Sequence, residues 1–325
     1  MLNHSFRTEI LKQKAEISIS HKDNIMFMGS CFAENIGEKL TEYKFTTNVN
    51  PFGILFNPVS IAQNLNILTD TFLFQESNLH FFHGEWFSFL HHGKFSHPNR
   101  EKCLEIINEK LVSSRFFLQK TNFLILTLGT TIAYRYKGNI VANCHKIPQK
   151  EFEKQILNIQ DIVSNLTNSI EKIKKINKDI QLIFTVSPVR YIRDNMIGNT
   201  LSKASLIVAV HELIRCIENS YYFPSFEIMM DDLRDYRFYN EDMVHPSPQA
   251  IDYIWKNFSY TFFDEQTLNL NKTIKNILLA INHRIKNPDL EESKQFKEIQ
   301  IKKIEQIQLL YPHIKLTKEL EHFST

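Results

Sequence analysis

The sequence is poor in several features that would place a protein in a class at once. Its four cysteines, Cys31, Cys103, Cys144 and Cys216, show none of the short spacings of a zinc site. They are also too few to suggest a disulfide framework. No stretch approaches the ~18 consecutive apolar residues of a membrane span. The N-terminal MLNHSFRTEILKQKAEISIS lacks a sustained apolar signal core. Excess charge of one sign is missing too. The 38 Lys and Arg nearly cancel the 36 Asp and Glu, and the net +2 gives no general reason to expect nucleic acid or an acidic membrane as partner. A reducing cytoplasm is the expected setting. His80, His83, His91, His92 and His97 crowd one region, yet no HExxH or matching carboxylate pattern accompanies them, so no metal and no cofactor are expected. Glycine is scarce, 8 in 325 residues, so Gly29, Gly53 and Gly129 carry unusual weight where they stand at turns.

What is present is an alternation of strand and helix patterns. Ile25–Met28, Phe123–Leu128 and Ile180–Val186 are continuous apolar runs, and Tyr221–Met230 should contain a last strand. Helical patterns cover Cys31–Tyr43, Asn57–Leu68, Arg100–Leu118, Glu151–Ile176, Leu201–Asn219 and Ser247–Phe263. Strands without polar alternation, separated by helices, predict a parallel sheet covered on both faces. Leu73–Leu90 is aromatic and short of helical period, which predicts a meander or irregular insertion, either a lid or apolar wall of a pocket or a satellite core. The tail after Asn287, with EESKQFKEIQIKKIEQIQLL, reads as a charged helix that packs loosely or serves as an interaction arm, or more simply as a solvated terminal helix.

Parallel sheets carry their functional loops beyond the carboxyl ends of the strands. Four polar groups fall there. Ser30 follows the first run. Gly129, Thr130 and Thr131 follow the second, and Ser187 and Arg190 the third. Asp242 and His245 come after the last expected strand. A serine hydroxyl needs a base to become a nucleophile, and an imidazole is a base that works near neutral pH. A carboxylate three residues from that histidine can orient the ring and stabilise the imidazolium. A serine at a strand-to-helix turn is also an ordinary N-cap, and an Asp-x-x-His can merely close a turn. Cys31, one position on, should face the packed side of its helix. Asn143 and His145 in ANCHK, and Asn199 and Lys203 in the long polar stretch SPVRYIRDNMIGNTLSKASL after the third run, are further polar candidates for either binding or capping.

Gly29–Ala33 reads GSCFA, and the chain resembles the GSCFA family, a branch of the SGNH (GDSL-like) hydrolases. Ser30 matches the serine of the first block of that superfamily, and Asp242–His245 the terminal Asp-x-x-His. Gly129-Thr130-Thr131 stands where a Gly-x-Asn turn is usual, with Thr131 in place of the asparagine. Gly53 takes the second-block position by order. The resemblance implies a flavodoxin-like three-layer α/β/α domain over 1–264, with an aromatic, His-rich insertion at about 70–120 and a helical extension over 265–325. It implies a serine esterase or O-acyltransferase acting on an ester, such as an acetylated glycan or other small acyl substrate. The catalytic residues would be Ser30, His245 and Asp242. The Ser30 and Gly53 N–H groups and the Thr131 hydroxyl would hold the oxyanion. Gly129, Thr130, Ser187, Arg190 and His145 would border the substrate. The alternative is a catalytically silent member of the fold that binds a glycan or a protein partner.

Overall fold

The computed structural model describes residues 9–283 and 290–324. The first eight residues and the point at which the charged tail was expected to begin lie outside them. Five strands form the central sheet: β1 (Asn24–Gly29), β2 (Thr46–Val49), β3 (Phe123–Leu128), β4 (Gln181–Val186) and β5 (Ser220–Phe223). Their spatial order is 2-1-3-4-5. The pairings β1/β3, β3/β4 and β4/β5 are parallel, with Gly29 level with Thr127 and Thr127 level with Thr185.

The apolar runs are continuous because both faces of the sheet are covered. Met26, Met28, Leu124, Leu126, Leu182 and Phe184 belong to the main core. The alternate residues Ile25, Phe27, Ile125 and Ile183 are just as buried, as the two-residue period of a strand requires. Helices α1 (Cys31–Glu42), α2 (Pro58–Thr69), α3 (Arg100–Leu118), α4 (Ile159–Ile176) and α5 (Asn195–Cys216) connect the strands, and Pro248–Phe262 follows. Asn57 caps α2 by accepting the Ser60 N–H at 2.9 Å, with Pro58 in the first turn where its missing N–H costs nothing.

One expected helix is shorter than its pattern. Residues 151–176 do not form a single helix, because Glu153–Ile156 is a strand and α4 begins at Ile159, capped by Asn158. That strand pairs with Ile132–Tyr136, which also pairs with Asn139–Val141, in a small antiparallel sheet. The aromatic segment contains a hairpin, His80–Phe82 with Glu85–Phe87. Phe87, Phe89 and Val141 form a separate cluster packed by Phe82, Tyr134, Tyr136 and Phe152.

The chain divides into two compact units. The first is built mainly from residues 24–38 and 47–256, and the second from 12–23, 39–46 and the chain from Asn257 onward. In the second unit, Leu270, Ile274 and Ile277 of the helix Glu265–Ile281 pack with Ile304 and Ile307 of the helix Glu291–Leu310, and with Ile314, Leu316 and Phe323. The charged tail helix is therefore not a solvated one, since one stripe of it is core. His21 stacks on Phe45 at 4.0 Å, and burial lowers its pKa to about 4, so it is neutral there. Among the described residues no helix is long and apolar enough to cross a membrane.

Candidate active site

In the order 2-1-3-4-5, successive connections leave β1 toward opposite edges of the sheet. The crevice between the carboxyl ends of β1 and β3 is thus the switch point where such sheets bind ligands. Ser30 follows β1 and Gly129-Thr130-Thr131 follows β3, so these two groups flank it. Gly29 makes the turn possible. Its φ is +142°, and a Cβ there would lie 2.1 Å from the Thr127 carbonyl oxygen. Ser30 is buried, and its Oγ makes no hydrogen bond within the protein.

Asp242 and His245 form a defined pair. The His245 Nδ1–H donates to Asp242 Oδ2 at 2.6 Å. The N–H groups of Val244 and His245 donate to the other carboxylate oxygen, each at 2.9 Å. The His245 N–H bond comes first among the causes that hold the Asp242 carboxyl down at about 2, followed by the Val244 N–H and the ring. The loop around the pair is closed by backbone bonds from Asn240 N–H to the His245 carbonyl and from Ser247 N–H to the Phe238 carbonyl, both 2.8 Å. Arg190, four residues past β4, ties this loop to the sheet. Its N–H donates to the Val244 carbonyl at 3.2 Å, and its guanidinium lies 4.0 Å from the centre of the Tyr239 ring. With Nδ1 occupied, Nε2 is the atom left for proton transfer. The imidazole is half-exposed and is not bonded to Ser30 Oγ in this structure.

The backbone donors expected at the oxyanion position are already used. Ser30 N–H continues the β1/β3 ladder and donates to the Thr127 carbonyl at 3.1 Å. Gly53 N–H closes a tight turn on the Asn50 carbonyl at 2.7 Å. At Gly53 the φ of +79° and the approach of His92, 2.2 Å from where a Cβ would stand, require a glycine. Thr131 is buried, and its N–H donates to Ser202 Oγ at 2.8 Å.

Lys203 reaches the same strand ends from α5. Its Nζ donates to the carbonyls of Gly129 at 2.6 Å and Ser187 at 2.7 Å, bridging the ends of β3 and β4. No described carboxylate pairs with it. Burial lowers its pKa to about 7, partly offset by the nearby Cys31 thiol. Burial also raises the Cys31 pKa, which makes that thiol a poor nucleophile.

A cavity of about 600 Å³ adjoins Thr130. It is lined by Phe56, Asn57, Tyr134, Asn143, His145, Lys146, Phe152, Tyr191 and Arg193, among others. Of the expected border residues, Thr130 and His145 line it. Gly129, Ser187 and Arg190 are instead engaged in the bonds described above. His145 stacks on Phe87 at 4.0 Å, and its Nε2–H donates to the Ser88 carbonyl at 3.0 Å. Burial lowers its pKa to about 4, leaving a neutral ring. The aromatic insertion backs this cavity through Phe87 and Phe89, and is at the same time a satellite core. Among the described residues no cluster of His, Cys, Asp and Glu could hold a metal ion.

A parallel five-stranded sheet with a serine at its switch point and an Asp-His pair tethered to the same edge defines a doubly wound α/β protein with a polar crest. The chain belongs to the GSCFA family, which it matches over residues 24–258. Residues 274–325 match the GSCFA domain protein, C-terminal domain. Comparison with curated proteins gives no match. Solved structures similar to the chain include a family 3 carbohydrate esterase from Clostridium thermocellum, at 10% identity and TM-score 0.36, covering 78% of this chain and 98% of that one. A carbohydrate esterase family 3 protein from Talaromyces cellulolyticus has 11% identity and TM-score 0.36, covering 78% and 99%. An acetyl xylan esterase from the rumen bacterium Butyrivibrio proteoclasticus has 11% identity and TM-score 0.36, covering 82% and 66%. The chemistry of this chain rests on its own residues.

Three residues of this site were hard to find by sequence. Asn50 follows a short, weakly patterned strand, and nothing in its spacing separates it from a turn residue. Tyr134 and Tyr191, whose hydroxyls are 3.1 Å apart across the cavity wall, are far apart in sequence and belong to no motif.

Proposed function

We propose that the protein is a serine-dependent acyl hydrolase or O-acyltransferase acting on an ester. The observation that carries this reading is the Asp242–His245 pair, with Nε2 left over, at the same sheet edge as a buried serine hydroxyl that has no other partner. Ser30 Oγ would attack the acyl carbonyl while His245 Nε2 takes its proton and Asp242 stabilises the imidazolium. The tetrahedral adduct would expel the alcohol, which leaves with the proton from Nε2. Water or a second alcohol would then take the acyl group from Ser30 by the same steps in reverse.

The cavity supplies room for the rest of the substrate. Its mixture of Tyr134, Tyr191 and Phe152 with Asn57, Asn143 and Gln149 suits a sugar-sized polar molecule. Lys146 and Arg193 are its charged lining residues, and no carboxylate joins them, which favours an acyl ester of an acidic sugar over that of a neutral one. A second reading is a silent member of the fold that binds a glycan. It is favoured by the half-exposed His245, which makes no hydrogen bond to Ser30 Oγ.

Turnover separates the two. Purified protein should hydrolyse p-nitrophenyl acetate, with Ser30→Ala and His245→Ala each losing roughly 10⁴-fold or more. An acetylated uronic acid should show a lower KM than its neutral counterpart. Activity that survives Ser30→Ala, or no activity on any ester, would sink the enzymatic reading, and equal KM values would remove the preference for acidic sugars.

A further inference from the structure

Asn50 stands immediately after β2, beside the turn that carries Ser30. Its backbone takes the left-handed conformation at φ +44°, which asparagine tolerates better than most residues. Its N–H donates to the Phe27 carbonyl of β1 at 2.9 Å. Its side chain is buried at 1% exposure, and its Oδ1 accepts the Gly29 N–H, one residue before Ser30, at 2.9 Å. Because Gly29 offers a donor, the atom facing it must be the carboxamide oxygen, and the orientation of the amide is fixed. The other end, Nδ2, is a pair of N–H donors in the interior with no hydrogen-bond partner in the protein.

A buried amide nitrogen left unpaired is costly, and Ser30, the residue after the Gly29 that the amide binds, carries a second unpaired buried polar atom, its Oγ. Such atoms are uncommon in a folded interior, where buried polar groups are nearly always satisfied. The expected backbone donors of this turn, Ser30 N–H and Gly53 N–H, are taken by Thr127 and by Asn50's own carbonyl. The third-block position carries Thr131 rather than an amide. The site therefore lacks a free amide donor everywhere it was expected and has one where it was not.

We propose that Asn50 Nδ2 is the amide donor that stabilises the oxyanion formed when Ser30 attacks the ester carbonyl, moved from the turn after β3 to the turn after β2. The proposal rests on the serine-dependent reading above. No bond is made or broken at Asn50. Its N–H donates to the carbonyl oxygen as that oxygen gains charge, and the interaction is strongest in the transition state. Asn50 touches the reacting atom and is in that sense catalytic, while its Oδ1 bond to Gly29 holds the amide in place.

Asn50→Asp, assayed at a pH where the new carboxyl is ionised, tests this, because the carboxylate keeps an oxygen for the Gly29 N–H and offers no donor. The variant should keep the wild-type melting temperature within a few degrees and lose about 10²–10³-fold in kcat on p-nitrophenyl acetate, with KM changed less than about threefold. Its labelling rate with a fluorophosphonate should fall in parallel, since that reaction also charges an oxygen at the site. Asn50→Ala, which deserts the Gly29 N–H as well, should lose both activity and stability. An Asn50→Asp protein that turns over within about twofold of wild type, while Ser30→Ala is inactive, overturns the proposal and leaves the serine mechanism standing. A wild type that is neither labelled nor active, and so no different from Ser30→Ala, overturns both.

Discussion

At the scale of single residues, the site depends on a few groups whose surroundings are set by burial. Lys203 is the clearest. An ammonium with two carbonyl partners and no carboxylate is held in the interior beneath the Gly129 and Ser187 turns, and burial brings its pKa to about 7. In the unfolded chain the same amine keeps the ordinary lysine value of 10.5. Between about 7 and 10.5 the unfolded state therefore binds the extra proton, and unfolding free energy should rise with pH across that window. Below about 7 both states are protonated, and Lys203 adds no slope. Chemical denaturation from pH 6 to 10 should show a rise in wild type that Lys203→Met lacks, whatever the variant does to absolute stability. Equal slopes in the two proteins would show that Lys203 is charged throughout. Asp242 gives a slope of the same sign in a different window. Its pKa is lowered from 3.8 to about 2, so its contribution is present at neutral pH and is lost as pH falls through that range.

At the scale of elements, the loop from Tyr236 to Ser247 carries His245, the proposed base. Arg190 was expected to border the substrate; its guanidinium packs on Tyr239 and its backbone N–H bonds Val244, contacts that suit a residue positioning His245 through the loop. The two roles differ in kinetics. Arg190→Met should lower kcat by roughly 10- to 100-fold, the scale of a misplaced catalytic group, and leave KM nearly unchanged. Arg190→Lys, which restores a cation over the ring, should recover part of that loss. A rise in KM at constant kcat would return Arg190 to the substrate border. The sheet itself was legible because burial on both faces leaves unbroken runs such as FLILTL at 123–128. The strand at 153–156 was not, because its exposed residues EKQI follow no two-residue pattern, and their pairing with Ile132–Tyr136 is decided by tertiary contact.

At the scale of the whole molecule, motif order in the sequence was enough to bring Ser30, Gly129, Ser187 and the Asp-His pair to one edge, since a parallel sheet allows few other placements. What it could not reveal was which hydrogen-bonding groups remain unused there. That depends on partners far apart in sequence, such as Gly29 with Asn50 and Thr131 with Ser202. The C-terminal region is helical as expected, but the burial of its charged helix was misjudged from charge. The stripe of Ile304 and Ile307 in a lysine- and glutamate-rich helix is narrow, and only its packing with Ile274 and Ile277 marks it as core. The central claim is that Ser30 is the nucleophile, and the most direct measurement is the site of covalent modification. Intact protein treated with a fluorophosphonate should gain a single adduct, and peptide mapping should place it on Ser30 in wild type and in Cys31→Ser, with none in Ser30→Ala or His245→Ala. An adduct that persists in Ser30→Ala, or that maps to any other residue, would contradict the account.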